Sequence, residues 1–212
     1  MKPETWTLPA DLPAGKLPVT VTYLEMAEPP AGPARTRPDG VAGGGVDGPV
    51  HARNCPPAYY RFLYDTVGEP WLWEYRRRMA SERLAEILAD PAVEVHVVSV
   101  QGVPAGYIEL DAEKLVSDGA MDVAYFGLMP WAIGRGIGPW LLDWGVRLAW
   151  TKPGVRRLTV NTCTFDHPSA LGLYQRVGFK ALRTEDKLVD DPRLTGLLPR
   201  SAAPHIPLAR HP

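Results

Sequence analysis

Leu128-Met129-Pro130-Trp131-Ala132-Ile133-Gly134-Arg135-Gly136-Ile137-Gly138-Pro139 passes from the end of a strand pattern, through three glycines, into a helix with proline near its first turn. Glycines at 134, 136 and 138 let main-chain N–H groups converge without interference from Cβ atoms. The N-terminus of the following helix adds positive partial charge, so the segment is a cradle for a phosphate or diphosphate. Glycine-rich turns between strand and helix also occur for tight packing alone, and that alternative stays open at this point. Two better-known phosphate loops do not fit. A Walker loop needs Gly-Lys-Ser/Thr, which is missing, and the spacing of the glycines after antiparallel-looking strands departs from the dinucleotide fingerprint.

Outward from the glycines, residues 121–128 read as a strand and residues 138–150 as an apolar helix. Upstream, residues 93–100 and 104–110 are β-branched or alternating and flank the short turn Gln101-Gly102, which predicts an antiparallel hairpin. Residues 57–89 carry a helical pattern broken at Gly68, with Ser81 as a candidate N-cap, and predict two or three helices. Residues 19–24 form a β-branched run. Downstream, residues 157–162 predict a strand, residues 167–176 a helix stopped by Gly178, and residues 179–188 a last strand or hairpin.

The last helix lies in Asn161-Thr162-Cys163-Thr164-Phe165-Asp166-His167-Pro168-Ser169-Ala170-Leu171-Gly172-Leu173-Tyr174-Gln175-Arg176-Val177-Gly178-Phe179. This segment and the glycine turn together resemble the GNAT superfamily of acyl-CoA-dependent N-acetyltransferases. That family's turn, Arg/Gln-x-x-Gly-x-Gly/Ala, aligns with residues 133–138, and its later helix, Asn-x-x-Ala-x-x-Leu-Tyr-x-x-x-Gly-Phe, aligns with residues 167–179. Ile133 stands where the family usually has Arg or Gln, and His167 where it has Asn. The main-chain amides that make most phosphate contacts in such nests are unaffected by the first change.

The resemblance implies an α/β fold: a mixed, mostly antiparallel sheet of six to seven strands with helices on both faces. It also implies a V-shaped splay between the strand ending at Leu128 and the one ending near Thr162, where the pantetheine arm of acetyl-CoA would insert. The implied cofactor contacts are Phe126, Leu128, Ile133, Gly134, Arg135, Gly136, Ile137, Gly138, Thr162, His167 and Tyr174. The implied reaction is direct acetyl transfer to a primary amine in a ternary complex, without metal or covalent enzyme intermediate. Tyr174 matches the family's acid, which protonates the departing thiolate, and the Leu128 N–H matches its donor to the thioester carbonyl.

A protonated alkylamine has a pKa near that of lysine, roughly 10.4, so a base is useful. In histone-modifying relatives that base is a carboxylate six residues before the Leu128 position, which is Asp122 here. By the period of two, residues 122, 124, 126 and 128 share one face of their strand. The other reading of Asp122 is a solvated strand-end carboxylate, and Glu109 is the reserve base. Cys163, His167 and Asp166 allow a rival reading as nucleophile, base and orienter, although Asp166 also reads as a helix N-cap and His167 as a first-turn residue. A non-catalytic acyl-CoA-binding domain would keep the glycine turn without needing Asp122 or Tyr174.

The 212 residues include 45% hydrophobic and 22% charged residues with a net charge of −1, which gives no electrostatic ground for nucleic acid or an anionic membrane as partner. No run is long and apolar enough to span a bilayer and the start lacks a signal-peptide core, so a cytoplasmic location is expected. Two cysteines, Cys55 and Cys163, match neither a zinc-knuckle spacing nor a disulfide framework.

Residues 1–18 read as an extended arm, 19–189 as one acetyltransferase domain, and 190–212 as an irregular tail that is either frayed or laid over the domain. Residues 28–57, with seven prolines and six glycines, read as a long mobile loop. The loop and tail are expected lids over the acceptor. Tyr59, Tyr60, Phe62, Tyr64, Trp71, Trp73 and Tyr75 serve either core packing or an aromatic acceptor pocket. The expected acceptor is a small-molecule or peptide amine, and the expected assembly a monomer or homodimer.

Overall fold

The computed structural model describes residues 7–39 and 45–211. The expectations for residues 1–6, 40–44 and 212 lie outside them. In chain order the elements are β1 (Lys16–Met26), β2 (Val46–His51), α1 (Pro57–Gly68), a 3-10 turn (Glu69–Trp71), α2 (Tyr75–Arg78), α3 (Ser81–Ala89), β3 (Val93–Val100) and β4 (Val103–Asp111). There follow α4 (Leu115–Asp118), β5 (Ala120–Leu128), a 3-10 turn (Pro130–Ala132), α5 (Ile137–Trp150), β6 (Arg157–Cys163), α6 (Ala170–Val177) and β7 (Lys180–Asp190).

The seven strands form one sheet in the order β2-β3-β4-β5-β6-β1-β7. The β5–β6 pair alone among them is parallel. It holds only for Ala120–Arg157, Met121–Leu158 and Asp122–Thr159, after which the strands part and open the expected splay. Helix α1 turns Tyr60, Leu63, Tyr64 and Val67 inward at helical spacing. Gly127 of β5 permits this approach, because a Cβ there would stand 2.3 Å from a Val67 methyl. On the opposite face α5 lies so close to β4 that a Cβ on Gly145 would meet Ile108 at 2.4 Å.

Three sequence expectations change. Residues 28–57 are not wholly loop, because β2 pairs with β3 from Val46–Val100 to His51–His96. Pro49 and the adjacent Gly48 suit this place, since an edge strand needs partners along one side only. Strand β1 begins at Lys16, inside the expected arm, and lies between β6 and β7 with Val21 opposite Cys163 and Lys16 opposite Asp190. Helix α6 begins at Ala170, so His167 precedes it instead of sitting in its first turn.

A β-bulge makes the fourth correction. Along the β4–β5 pair Glu109 faces Tyr125 while Leu110 faces Val123, which leaves Ala124 without an opposite number. The alternation of side chains reverses across such a bulge. Asp122 therefore shares the α1 face with Asp111 and Glu109, whereas Phe126 and Leu128 point to the α5 face, where Gly138 meets both. The expected common face of Asp122 and Leu128 does not exist.

The segment after β7 is an arm laid over the domain. Leu198, Ala202, Ala203, Ile206 and Ala209 bury themselves against Leu17, Val19, Leu72 and Phe165. Its centre is the buried Arg193, whose Nε and Nη2 donate to Asp191 at 2.9 and 2.8 Å and whose Nη1 donates to the Ile206 carbonyl at 2.8 Å. A guanidinium satisfied on several sides replaces the helix or strand that the segment's prolines prevent.

Candidate active site

A cavity of about 650 Å³ occupies the splay. Tyr64, Trp71, Trp73, Tyr75 and Tyr125 line it from the α1 side, and Gly134, Gly136, Gly138, Leu173, Tyr174 and Arg176 from the α5 and α6 side. The aromatic set of the sequence thus divides. Tyr60 is core, Tyr59 packs against it, Phe62 is largely in solvent, and the remaining four face the cavity.

Gly134 and Gly136 adopt φ of 81° and 77°, in the left-handed region that glycine enters without strain. Gly136 is the N-cap of α5 and no side chain caps the helix. Among the described residues, none of the N–H groups from 134 to 138 is taken by a hydrogen-bond acceptor. Free amides at a helix start are an anion site. Ile133 lines the cavity, whereas Ile137 is fully buried and Arg135 is turned out over the Trp131 ring at 5.5 Å, and neither of these two is among the lining residues.

Successive N–H groups of a strand point to opposite edges. The Met129 N–H donates to the Ala105 carbonyl at 2.9 Å, on the β4 side, so the Leu128 N–H is directed into the splay. Phe126 and Leu128 both line the cavity, and Phe126 meets the Tyr174 ring edge-on at 6.3 Å. Tyr174 is nearly buried, and no described group hydrogen-bonds its hydroxyl. Burial, followed by the charges of Asp166 and Asp122, raises its pKa well above the usual phenol value and keeps it protonated.

Of the other expected residues, His167 reaches the cavity, and Thr162 and Asp122 do not line it. Thr162 is buried off the cavity and donates its hydroxyl to Asp166 at 2.8 Å. His167 lines the cavity, packs edge-on against Trp71 at 5.3 Å, and accepts the Ser169 N–H on Nδ1 at 3.1 Å. Asp122 lies beside the closed end of the splay, where it accepts the Thr159 hydroxyl at 2.6 Å and burial raises its pKa above the ordinary carboxylate range.

Glu109 is fully buried on the α1 side. It is held by Arg76 at 2.7 Å and by the Tyr60 hydroxyl, away from the cavity lining, and these contacts join α2 and α1 to the sheet. Glu109→Gln should destabilise the fold by about 3–5 kcal/mol by stranding the Arg76 charge. Urea denaturation checks this, and activity per folded molecule should stay near that of the unsubstituted protein.

Asp166 makes contacts that neither of its sequence readings, orienter or helix N-cap, included. It does not cap α6. Its carboxylate takes the Trp73 Nε1–H at 3.1 Å, the Thr162 hydroxyl and the Cys163 N–H at 2.9 Å, and so joins the aromatic wall to β6. The same carboxylate, after burial, pushes the Cys163 thiol up to about 12, which is the opposite of an activated nucleophile.

Over residues 60–179 the sequence matches the profile of the acetyltransferase (GNAT) family. The chain belongs to this family. The GNAT fold is shared with a GCN5-related N-acetyltransferase from Sphaerobacter thermophilus (TM-score 0.55, 19% identity, 84% of this chain and 54% of that one). It is shared also with a GCN5-related N-acetyltransferase from Kribbella flavida (TM-score 0.51, 17% identity, 86% and 63%). An aminoglycoside N-acetyltransferase, AAC(6')-Iy in complex with CoA, superposes at TM-score 0.50 with 18% identity over 66% of this chain and 92% of that one. The chain spans between half and two-thirds of the length of the first two. No curated protein matches it in sequence. No helix among the described residues is long and apolar enough to cross a membrane.

Proposed function

We propose that this GNAT protein transfers an acetyl group from acetyl-CoA to the primary amine of a small molecule bearing an apolar or aromatic group. The observation that carries the reading is that the N–H groups at residues 134–138 have no acceptor among the described residues, with Gly134, Gly136 and Gly138 lining the same cavity as Tyr174. Left-handed glycines and an uncapped helix start fit a diphosphate. When bound, acetyl-CoA supplies an acyl carbon activated as a thioester.

The amides of residues 134–138 hold the diphosphate and the Leu128 N–H donates to the carbonyl oxygen. As the amine nitrogen bonds to the acyl carbon, the carbon–sulfur bond breaks and the Tyr174 hydroxyl gives its proton to the sulfur. The proton lost by the amine leaves toward Asp122 through water, and solvent restores the phenol. Asp122 fits this duty because the bulge turns it to the α1 face, where the aromatic wall would hold the acceptor.

A base acts deprotonated, so activity falls as the pH drops through its pKa. The acid limb of kcat/KM should therefore lie above the ordinary carboxylate range, and Asp122→Asn should remove that limb while lowering kcat roughly 100-fold. A pH–rate profile of both proteins checks it.

Some GNAT proteins of this fold are named for aminoglycosides, which are polycations. Here the wall is aromatic, and the two carboxylates lining the cavity, Glu74 and Asp166, are engaged with Arg78 and with three donors. A monoamine fits these walls better. Thiol release from acetyl-CoA across arylalkylamines, polyamines, aminoglycosides and peptide N-termini should be fastest with arylalkylamines. CoA binding without turnover on any of them would favour the non-catalytic domain, and faster release with aminoglycosides would overturn the acceptor class.

A further inference from the structure

At the outer edge of the sheet, away from the cavity, β2 and β3 bring three donors together. His51 stands directly opposite His96, and Glu94, two residues before His96, lies on the same face. The two rings have centroids 4.8 Å apart, and the His96 Nε2 lies 2.9 Å from the Glu94 Oε2. One ligand atom from each of the three lies within 4.8 Å of the others. Glu94 turns its second oxygen to Lys152, and Trp144 of α5 covers His96 edge-on at 5.0 Å.

We propose that His51, Glu94 and His96 bind a divalent transition metal, Zn²⁺ foremost, with water completing a tetrahedral site. Two imidazoles and one carboxylate are a donor set that zinc takes readily. Bonds of roughly 2.0–2.1 Å place tetrahedral ligand atoms about 3.3 Å apart, so small side-chain rotations from the observed positions suffice. Lys152 holds the far carboxylate oxygen and thereby aims the near one at the imidazoles, as outer partners of metal ligands do. The ring nitrogens of His51 have no hydrogen-bond partner among the described residues, so a metal would satisfy a group that the His96–Glu94 contact leaves out. Bound metal would pin β2 to β3 just ahead of α1, whose Tyr64 lines the cavity.

The test uses untagged full-length protein stripped with a chelator. Calorimetry should show one saturable Zn²⁺ site. Co²⁺ should give the visible absorption of a four-coordinate centre and perturb tryptophan fluorescence through Trp144. His51→Gln, at the edge of the sheet, and Glu94→Gln should each weaken binding by roughly tenfold or more, with circular dichroism unchanged. Absence of saturable binding to the unsubstituted protein, or affinity that survives both substitutions, would overturn the proposal. The readouts are independent of acetyl transfer, so failure of the metal site and failure of the proposed reaction are distinguishable.

Discussion

Tyr174→Phe is expected to lower kcat roughly 100-fold while the Kd for acetyl-CoA stays within about twofold, because general acid catalysis typically contributes 100-fold or more. The substitution removes one oxygen and keeps the ring, which packs edge-on between Phe126 and Phe179 at 6.3 and 6.0 Å. The core at α6 is therefore preserved. Burial holds the phenol protonated, so the group stays able to donate across the neutral range, and its loss should be felt on the departing sulfur alone. Steady-state kinetics and calorimetry with CoA separate the two quantities. If instead affinity falls and kcat is unchanged, Tyr174 is a wall of the binding site and the proton comes from elsewhere.

The second large effect concerns the turn. Gly136→Asp should raise the KM for acetyl-CoA roughly 100-fold or more and change kcat little. Two like charges about 4 Å apart repel by about 4 kcal/mol at the effective dielectric of a protein surface, and each 1.4 kcal/mol is a factor of ten. The new carboxylate also sits at the N-cap of α5, where it would accept the first-turn N–H groups proposed for the diphosphate. Helix capping offsets part of the cost of a non-glycine residue at φ of 77°, so the protein should remain folded. Gly136→Asn, with the same shape and no charge, should fall between the two. An unchanged KM in the Asp variant would mean that the diphosphate does not lie on these amides.

How much of the fold and site is legible in the sequence depends on the range of the interactions involved. The glycine turn, α5 and Tyr174 were readable because each is specified by residues within one or two helical turns: left-handed conformations at Gly134 and Gly136, apolar periodicity, and a fixed step along α6. The family resemblance, carried by the same local segments, added the splay. The strand β2 was not readable, since Gly48 and Pro49 oppose a strand locally and only the backbone of β3 makes one there.

Asp122 shows the limit most sharply. Alternation along β5 put it beside Leu128, yet one unpaired residue, Ala124, moves it to the other face, and a bulge exists only in relation to a partner strand. Glu109 read as a spare base until Arg76 and Tyr60, brought from the helices, claimed it. Asp166 read as a helix cap until Trp73 and Thr162 closed on it.

The sequence by itself determined the backbone shapes that single residues impose: where the chain can turn left-handed, where it coils, and where glycines let amides converge at the start of α5. The tertiary structure alone decided which side chains meet, including the His51–Glu94–His96 cluster, the order of β1 between β6 and β7, and the face to which each carboxylate turns. The reason is that pairing register and burial belong to two distant segments at once, and no property of either segment alone encodes them.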